Sequence, residues 1–70
     1  MDVIDLIKEG EMHYENGDFK SAKSKFLQAS SLAPADPQIF NKLGMLEMSR
    51  NSPNEARAFY EKACKLAPDV

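Results

Sequence analysis

Seventy residues leave room for one small domain, whose core alone supplies no more than roughly 3–5 kcal/mol. A formal net charge of −2, with 43% hydrophobic and 29% charged residues, describes a globular chain without the basic face that nucleic-acid binding uses. The one cysteine, Cys64, excludes an internal disulfide, and no apolar run reaches the length of a membrane span or signal core, because Asp5 interrupts Val3–Ile7. These features predict a soluble, cytoplasmic chain with no membrane partner, unless it is cut from a longer protein.

Asp2 is the expected start of the first helix, its carboxylate accepting a hydrogen bond from a free backbone N–H. Val3, Leu6, Ile7, Gly10 and Tyr14 then form one apolar stripe. Asn16-Gly17-Asp18 predicts a turn, with Gly17 at positive φ and Asp18 capping the next helix. That second helix carries Phe19, Ala22, Phe26, Ala29 and Leu32 and must stop before Pro34, since proline displaces its predecessor from helical geometry. Asp36-Pro37 restarts the chain as a cap followed by proline at the first helical position. The third helix presents Ile39, Phe40, Leu43, Gly44, Leu46 and Met48. Ser52-Pro53-Asn54-Glu55 reads as a capping box opening the fourth, which shows Ala56, Phe59, Tyr60, Ala63 and Leu66 before Pro68. No stretch alternates with period two, so no strand is expected. Four helices on short connections predict an all-α fold of two antiparallel helix-turn-helix hairpins.

The thirteen residues AKSKFLQASSLAP, from Ala22 to Pro34, return 34 positions later as ARAFYEKACKLAP, from Ala56 to Pro68. Ala22 returns as Ala56, Phe26 as Tyr60, Ala29 as Ala63 and Leu32 as Leu66; upstream, Lys8 returns as Lys42 and Gly10 as Gly44. A fixed period of this size is the mark of stacked helical units. Residues 3–36 and 37–70 are therefore read as two copies within one domain, 1–70. The first copy's Gly10, Ala22, Phe26, Ala29 and Pro34, with the turn Asn16-Gly17-Asp18-Phe19, resemble the tetratricopeptide repeat family. So do Phe40, Leu43, Gly44, Ala56, Tyr60, Ala63 and Pro68 in the second copy. The first copy departs at Glu9, where the family favours leucine, and at His13, where it favours tyrosine; both are read as end-capping. The resemblance implies that the hairpins stack as a short right-handed α-solenoid.

The resemblance also implies that the first helix of each pair lines a concave surface that binds a peptide or helix. By repeat position that surface holds Ile7, Lys8, Glu11 and Tyr14 from one copy and Asn41, Lys42, Met45 and Met48 from the other, with Ile4, Glu15, Gln38 and Ser49 beside them. Methionines suit a surface that adapts to its partner. Ile7 and Tyr14 equally suit packing between the pairs. Some relatives grip the terminal carboxylates of chaperone tails with lysine and asparagine; Glu11 at the matching position repels such a group. On the last helix, Phe59, Tyr60, Ala63 and Leu66 have no following pair to cover them. The chain is then a piece of a longer array, a self-associating unit, or marginally stable alone; the two aromatics favour the first two.

His13, with Glu9 one turn earlier, lacks the ligand set zinc requires, and is expected to pair with Glu9 as a half-buried or solvated residue. Cys64 is expected to pack inertly in the core among Tyr60, Ala63 and Ala67. Gly10, Gly17 and Gly44 follow no strand and cradle no phosphate. No nucleophile, acid or base stands in a catalytic arrangement, so neither enzyme activity, cofactor nor metal is expected. The expected function is a non-catalytic protein–protein interaction module within a larger repeat protein. The alternative is a homo-oligomer joined through the last helix.

Overall fold

The structure, a computed structural model, describes residues 2–67. It contains four α-helices, α1 (Val3–Glu15), α2 (Phe19–Leu32), α3 (Pro37–Ser49) and α4 (Pro53–Leu66), and no strand among the described residues. Pro68, the expected stop of α4, lies outside them. Three helix starts follow the chemistry of the sequence. Asp2 accepts from the Ile4 N–H (3.3 Å), Asp18 from Ser21 (3.2 Å) and Asp36 from Gln38 (3.0 Å).

The fourth start differs from expectation. Ser52 occupies the N-cap position of α4, but its hydroxyl makes no capping bond. The Ser52 N–H, which a capping box would give to Glu55, instead donates to the Glu47 carbonyl at 2.8 Å. That bond belongs to the end of α3, where the Asn51 N–H also donates to the Met48 carbonyl at 3.0 Å. The same pair closes α1, from Asp18 to His13 (2.8 Å) and Gly17 to Tyr14 (3.0 Å). Both are Schellman closures, which need a left-handed residue just past the helix. Gly17 supplies it at φ 79° and Asn51, its counterpart 34 positions on, at φ 64°; asparagine is among the few side chains that tolerate this region.

These tight turns fold the chain into two antiparallel hairpins, α1 on α2 and α3 on α4, and the hairpins stack through α2 and α3. The all-α hairpin stack expected from the sequence is the observed fold. Its core is one cluster that includes Leu6, Phe26, Phe40 and the fully buried Ile39, Leu43 and Leu46. Side chains of this size contribute about 1.5–3 kcal/mol each on burial, so the three from α3 form the largest concentration of hydrophobic stabilisation.

Their position follows from the helix repeat of about 100° per residue. Lys42 reaches Glu11 on α1 and Glu47 reaches Lys23 on α2 (3.0 and 3.3 Å). Ile39, Leu43 and Leu46 fall in the sector between Lys42 and Glu47, which faces the first hairpin. Gly44 lies beyond Glu47 and faces α4, where the Tyr60 ring meets it. Helix α3 is thus buried on two sides. Glu47, only 2% exposed, is held by Lys23 from across the hairpin interface and by Arg50 from its own helix (3.2 Å). Both partners are needed, because a carboxylate taken out of water must be paired and hydrogen-bonded.

In each hairpin a glycine admits an aromatic ring from the facing helix. A Cβ at Gly10 would stand 2.6 Å from Phe26 Cε1, and one at Gly44 2.5 Å from Tyr60 Cε1. The two contacts are alike, but their surroundings are not: Phe26 is 2% exposed and Tyr60 37%. Tyr60 can swing into solvent, whereas Phe26 is locked in the core. Gly10→Ala should therefore cost roughly 1–3 kcal/mol by overpacking, reduced by up to about 1 kcal/mol of gained helix propensity. Gly44→Ala should stay within about 1 kcal/mol of wild type, since the propensity gain offsets a small ring displacement. Urea unfolding of the two variants measures this, and equal destabilisation would contradict the assignment of Tyr60 to a yielding flank. In the same assay, Lys23→Met should cost about 1–2 kcal/mol, less than for a fully buried pair because Lys23 is partly solvated and Arg50 remains. Glu47→Gln should cost less than Lys23→Met; the reverse order would show that the carboxylate is not the constrained partner.

Candidate functional site

Between α1 and α3 lies a cleft walled by Glu11, Tyr14, Glu15, Lys42 and Met45, with Phe26 from α2 at its floor. Spacings of three and four put Glu11, Tyr14 and Glu15 on one face of α1, and spacing of three aligns Lys42 with Met45 on α3. The walls are braced across the hairpins. Lys42 Nζ lies 3.0 Å from Glu11 Oε2, and the Tyr14 and Ser49 hydroxyls share a hydrogen bond of 2.6 Å. The Tyr14 ring packs at 56° on Phe19, 5.4 Å between centroids, which fixes its position at the cleft edge. Met45 is exposed, so an apolar lip stands beside a charged rim.

Five of the twelve residues expected on the inner surface, Glu11, Tyr14, Glu15, Lys42 and Met45, thus meet at one cleft. Ile7 is half-buried against the core and Lys8 is exposed outside the cleft. Asn41 and Met48 line two other depressions, on either side of Tyr60: Asn41 with Pro37 and Gln38, Met48 with Pro53 and Arg57. On α4, Tyr60 and Leu66 are exposed, Phe59 is half-buried against the core, and Ala63 is buried. The open flank of α4 therefore rests on Tyr60 and Leu66, without Ala63.

Two expectations are corrected. Cys64 is exposed and borders both depressions beside Tyr60. One residue past the buried Ala63, it is turned about 100° away from the core. His13 does not pair with Glu9, which is drawn to Lys25 on α2 at 3.1 Å. The His13 ring instead lies with Nδ1 3.7 Å from Asp18 Oδ2, across the turn. The Ser21 hydroxyl and backbone N–H, aided by His13, hold the Asp18 carboxyl below the usual carboxylate range.

Phe26 and Glu47 were not singled out as site residues by the sequence. Phe26 carries the signal of a core aromatic, and Glu47 that of an ordinary helix acid. Only the repeat offset would have flagged Glu47, since it stands 34 residues after the already unusual His13. Among the described residues no three His, Cys, Asp or Glu side chains are grouped to hold a metal ion, and no helix is long and apolar enough to cross a membrane.

The family model for the tetratricopeptide repeat matches residues 37–70. The chain is also similar to anaphase-promoting complex subunit 6 of Dictyostelium discoideum, with 40% identity over 45 residues. That stretch is 64% of this chain but 5% of that protein, so the chain spans a small fraction of its relative's length.

The Asp18 cap gives a pH prediction. A carboxyl whose pKa is lowered on folding adds stability that is present above its unfolded value, about 3.9, and lost as pH falls through the lowered folded value. In Ser21→Ala the hydroxyl contribution is gone, so the Asp18 carboxyl should titrate closer to about 3.9 in a carbon-detected NMR titration. No change would mean that the backbone N–H alone sets it.

Proposed function

The chain belongs to the tetratricopeptide repeat family, whose members are protein–protein interaction scaffolds, and from that premise we propose that it is a non-catalytic module whose α1–α3 cleft binds a peptide or helix. Residues 3–36 and 37–70 are its two repeats, and it works as part of a larger assembly. A relative that is a subunit of a complex supports that reading. The cytoplasm is the proposed setting, resting on the single unpaired cysteine.

The observation that carries the binding proposal is the cleft itself: an aromatic floor of Phe26, an exposed Met45 lip and a rim of Glu11, Glu15 and Lys42. Lys42 is already engaged by Glu11, which leaves Glu15 as the uncompensated charge of the rim. The fitting occupant inserts one bulky apolar side chain between Tyr14 and Met45 and offers a basic residue to Glu15. An exposed methionine beside an aromatic floor suits such an insertion, because its flexible thioether adjusts to the incoming shape.

Peptides selected from a displayed random library against the whole chain test this. Enriched sequences should combine an apolar residue with a nearby Lys or Arg. Met45→Ala should weaken their binding by roughly 5–30-fold, the loss expected for a central apolar contact. Glu15→Lys should weaken it further. If both variants bind the selected peptides as wild type does, the cleft is not the binding site.

A further inference from the structure

The open flank of α4 has a covered counterpart within the same molecule. Phe26 and Lys23 on α2 return as Tyr60 and Arg57 on α4, and each aromatic ring lies on a glycine of the facing helix. In the first hairpin this surface is sealed by α3: Phe26 shares one buried cluster with Ile39, Leu43 and Leu46, and Lys23 takes the Glu47 carboxylate. In the second hairpin none of the described residues covers the same surface. Tyr60 is 37% exposed, Met48 and Cys64 border it, and the Arg57 side chain is 81% exposed with only Glu61 of its own helix at 2.9 Å.

We propose that this flank docks a partner protein's amphipathic helix with apolar side chains at positions i, i+4 and i+7 and a carboxylate at i+8, the carboxylate being taken by Arg57. The spacing is that of Ile39, Leu43, Leu46 and Glu47, read directly from the helix that covers the equivalent surface. Arg57 suits the task better than lysine would, because its planar fork pairs with a carboxylate through two parallel N–H donors. An acid so placed gives Arg57 a pair across the interface, as Glu47 gives Lys23.

A second copy stacked head-to-tail does not meet this requirement. It would present α1, whose matching positions are Asp5, Glu9 and Met12, and so set two carboxylates where Ile39 and Leu43 sit. Asp5 makes no ion pair among the described residues and the Glu9–Lys25 pair is itself partly solvated, so these carboxylates stay in water; the N-terminal flank acts as a polar cap while the C-terminal flank remains receptive.

Two experiments on the whole chain test the assignment. The first titrates the isotope-labelled chain with an acetylated, amidated peptide of the sequence of residues 36–51, followed by NMR. Saturable shifts are expected at Arg57, Tyr60 and Cys64, and Arg57→Glu should weaken binding by about tenfold or more. A peptide with Glu→Arg at the Glu47 position should recover binding to that variant. Shifts confined to the Glu11–Met45 cleft, absence of saturation, or indifference to Arg57→Glu would each overturn the proposal.

The second experiment asks whether the flank reads the code when it is built into the other end of the chain. Asp5→Ile combined with Glu9→Leu should turn a chain that sediments as a monomer into a concentration-dependent stack, and adding Tyr60→Asp should abolish the stack. A double variant that remains folded by circular dichroism yet monomeric would refute it. So would a wild-type chain that stacks through Tyr60 with Asp5 and Glu9 in place.

Discussion

The structure depends on α3 being buried from two directions at once. Its stripe of Ile39, Leu43 and Leu46 meets the first hairpin, while Gly44 accepts Tyr60 from its own. No other helix is asked to satisfy two neighbours so fully. A chain this short has little core to spare, so the interface between the hairpins is the core, and separating them would expose most of it. Glu47 sits at the edge of this interface and ties stacking to charge: its carboxylate is met by Lys23 from the other hairpin beside Arg50 of its own helix.

Seen this way, the two ends of the molecule differ in kind. The N-terminal flank carries Asp5, Glu9 and Lys25, charged groups at home in water, with Glu9 and Lys25 paired. The C-terminal flank carries Tyr60, Leu66 and Cys64 around a ring that rests on Gly44. Two hairpins with helices of matching length thus present flanks of different character, and the difference lies in a handful of side chains at matching repeat positions. The cleft between α1 and α3 is a third surface, set by the same stacking: Glu11 and Tyr14 from α1 meet Lys42 and Ser49 from α3 only because the hairpins lie side by side.

Fold stability and the shape of this cleft are therefore coupled. The Glu11–Lys42 pair and the Tyr14–Ser49 hydrogen bond are exposed and each contributes little on its own, but together they hold the rim of the cleft in one geometry. Phe26 has two roles, filling the core and flooring the cleft, so the site cannot be altered there without loosening the fold.

Local chemistry was legible without coordinates. Asp2, Asp18 and Asp36 announce helix starts, Gly17 a left-handed turn, and the period of 34 the pairing of helices, because each depends on neighbours a few residues away or on simple repetition. What the tertiary structure decided were matters of rotation and reach. Cys64 lies outside the core because it is turned one helical step past Ala63; Glu9 abandons His13 because Lys25 approaches from the next helix; Ser52 gives its N–H back to Glu47 rather than forward to Glu55. The burial of Glu47 belongs to the same class, since its partner stands 24 residues away on another helix. Spacing along a chain sets which face of a helix a residue occupies, but only packing determines what that face meets.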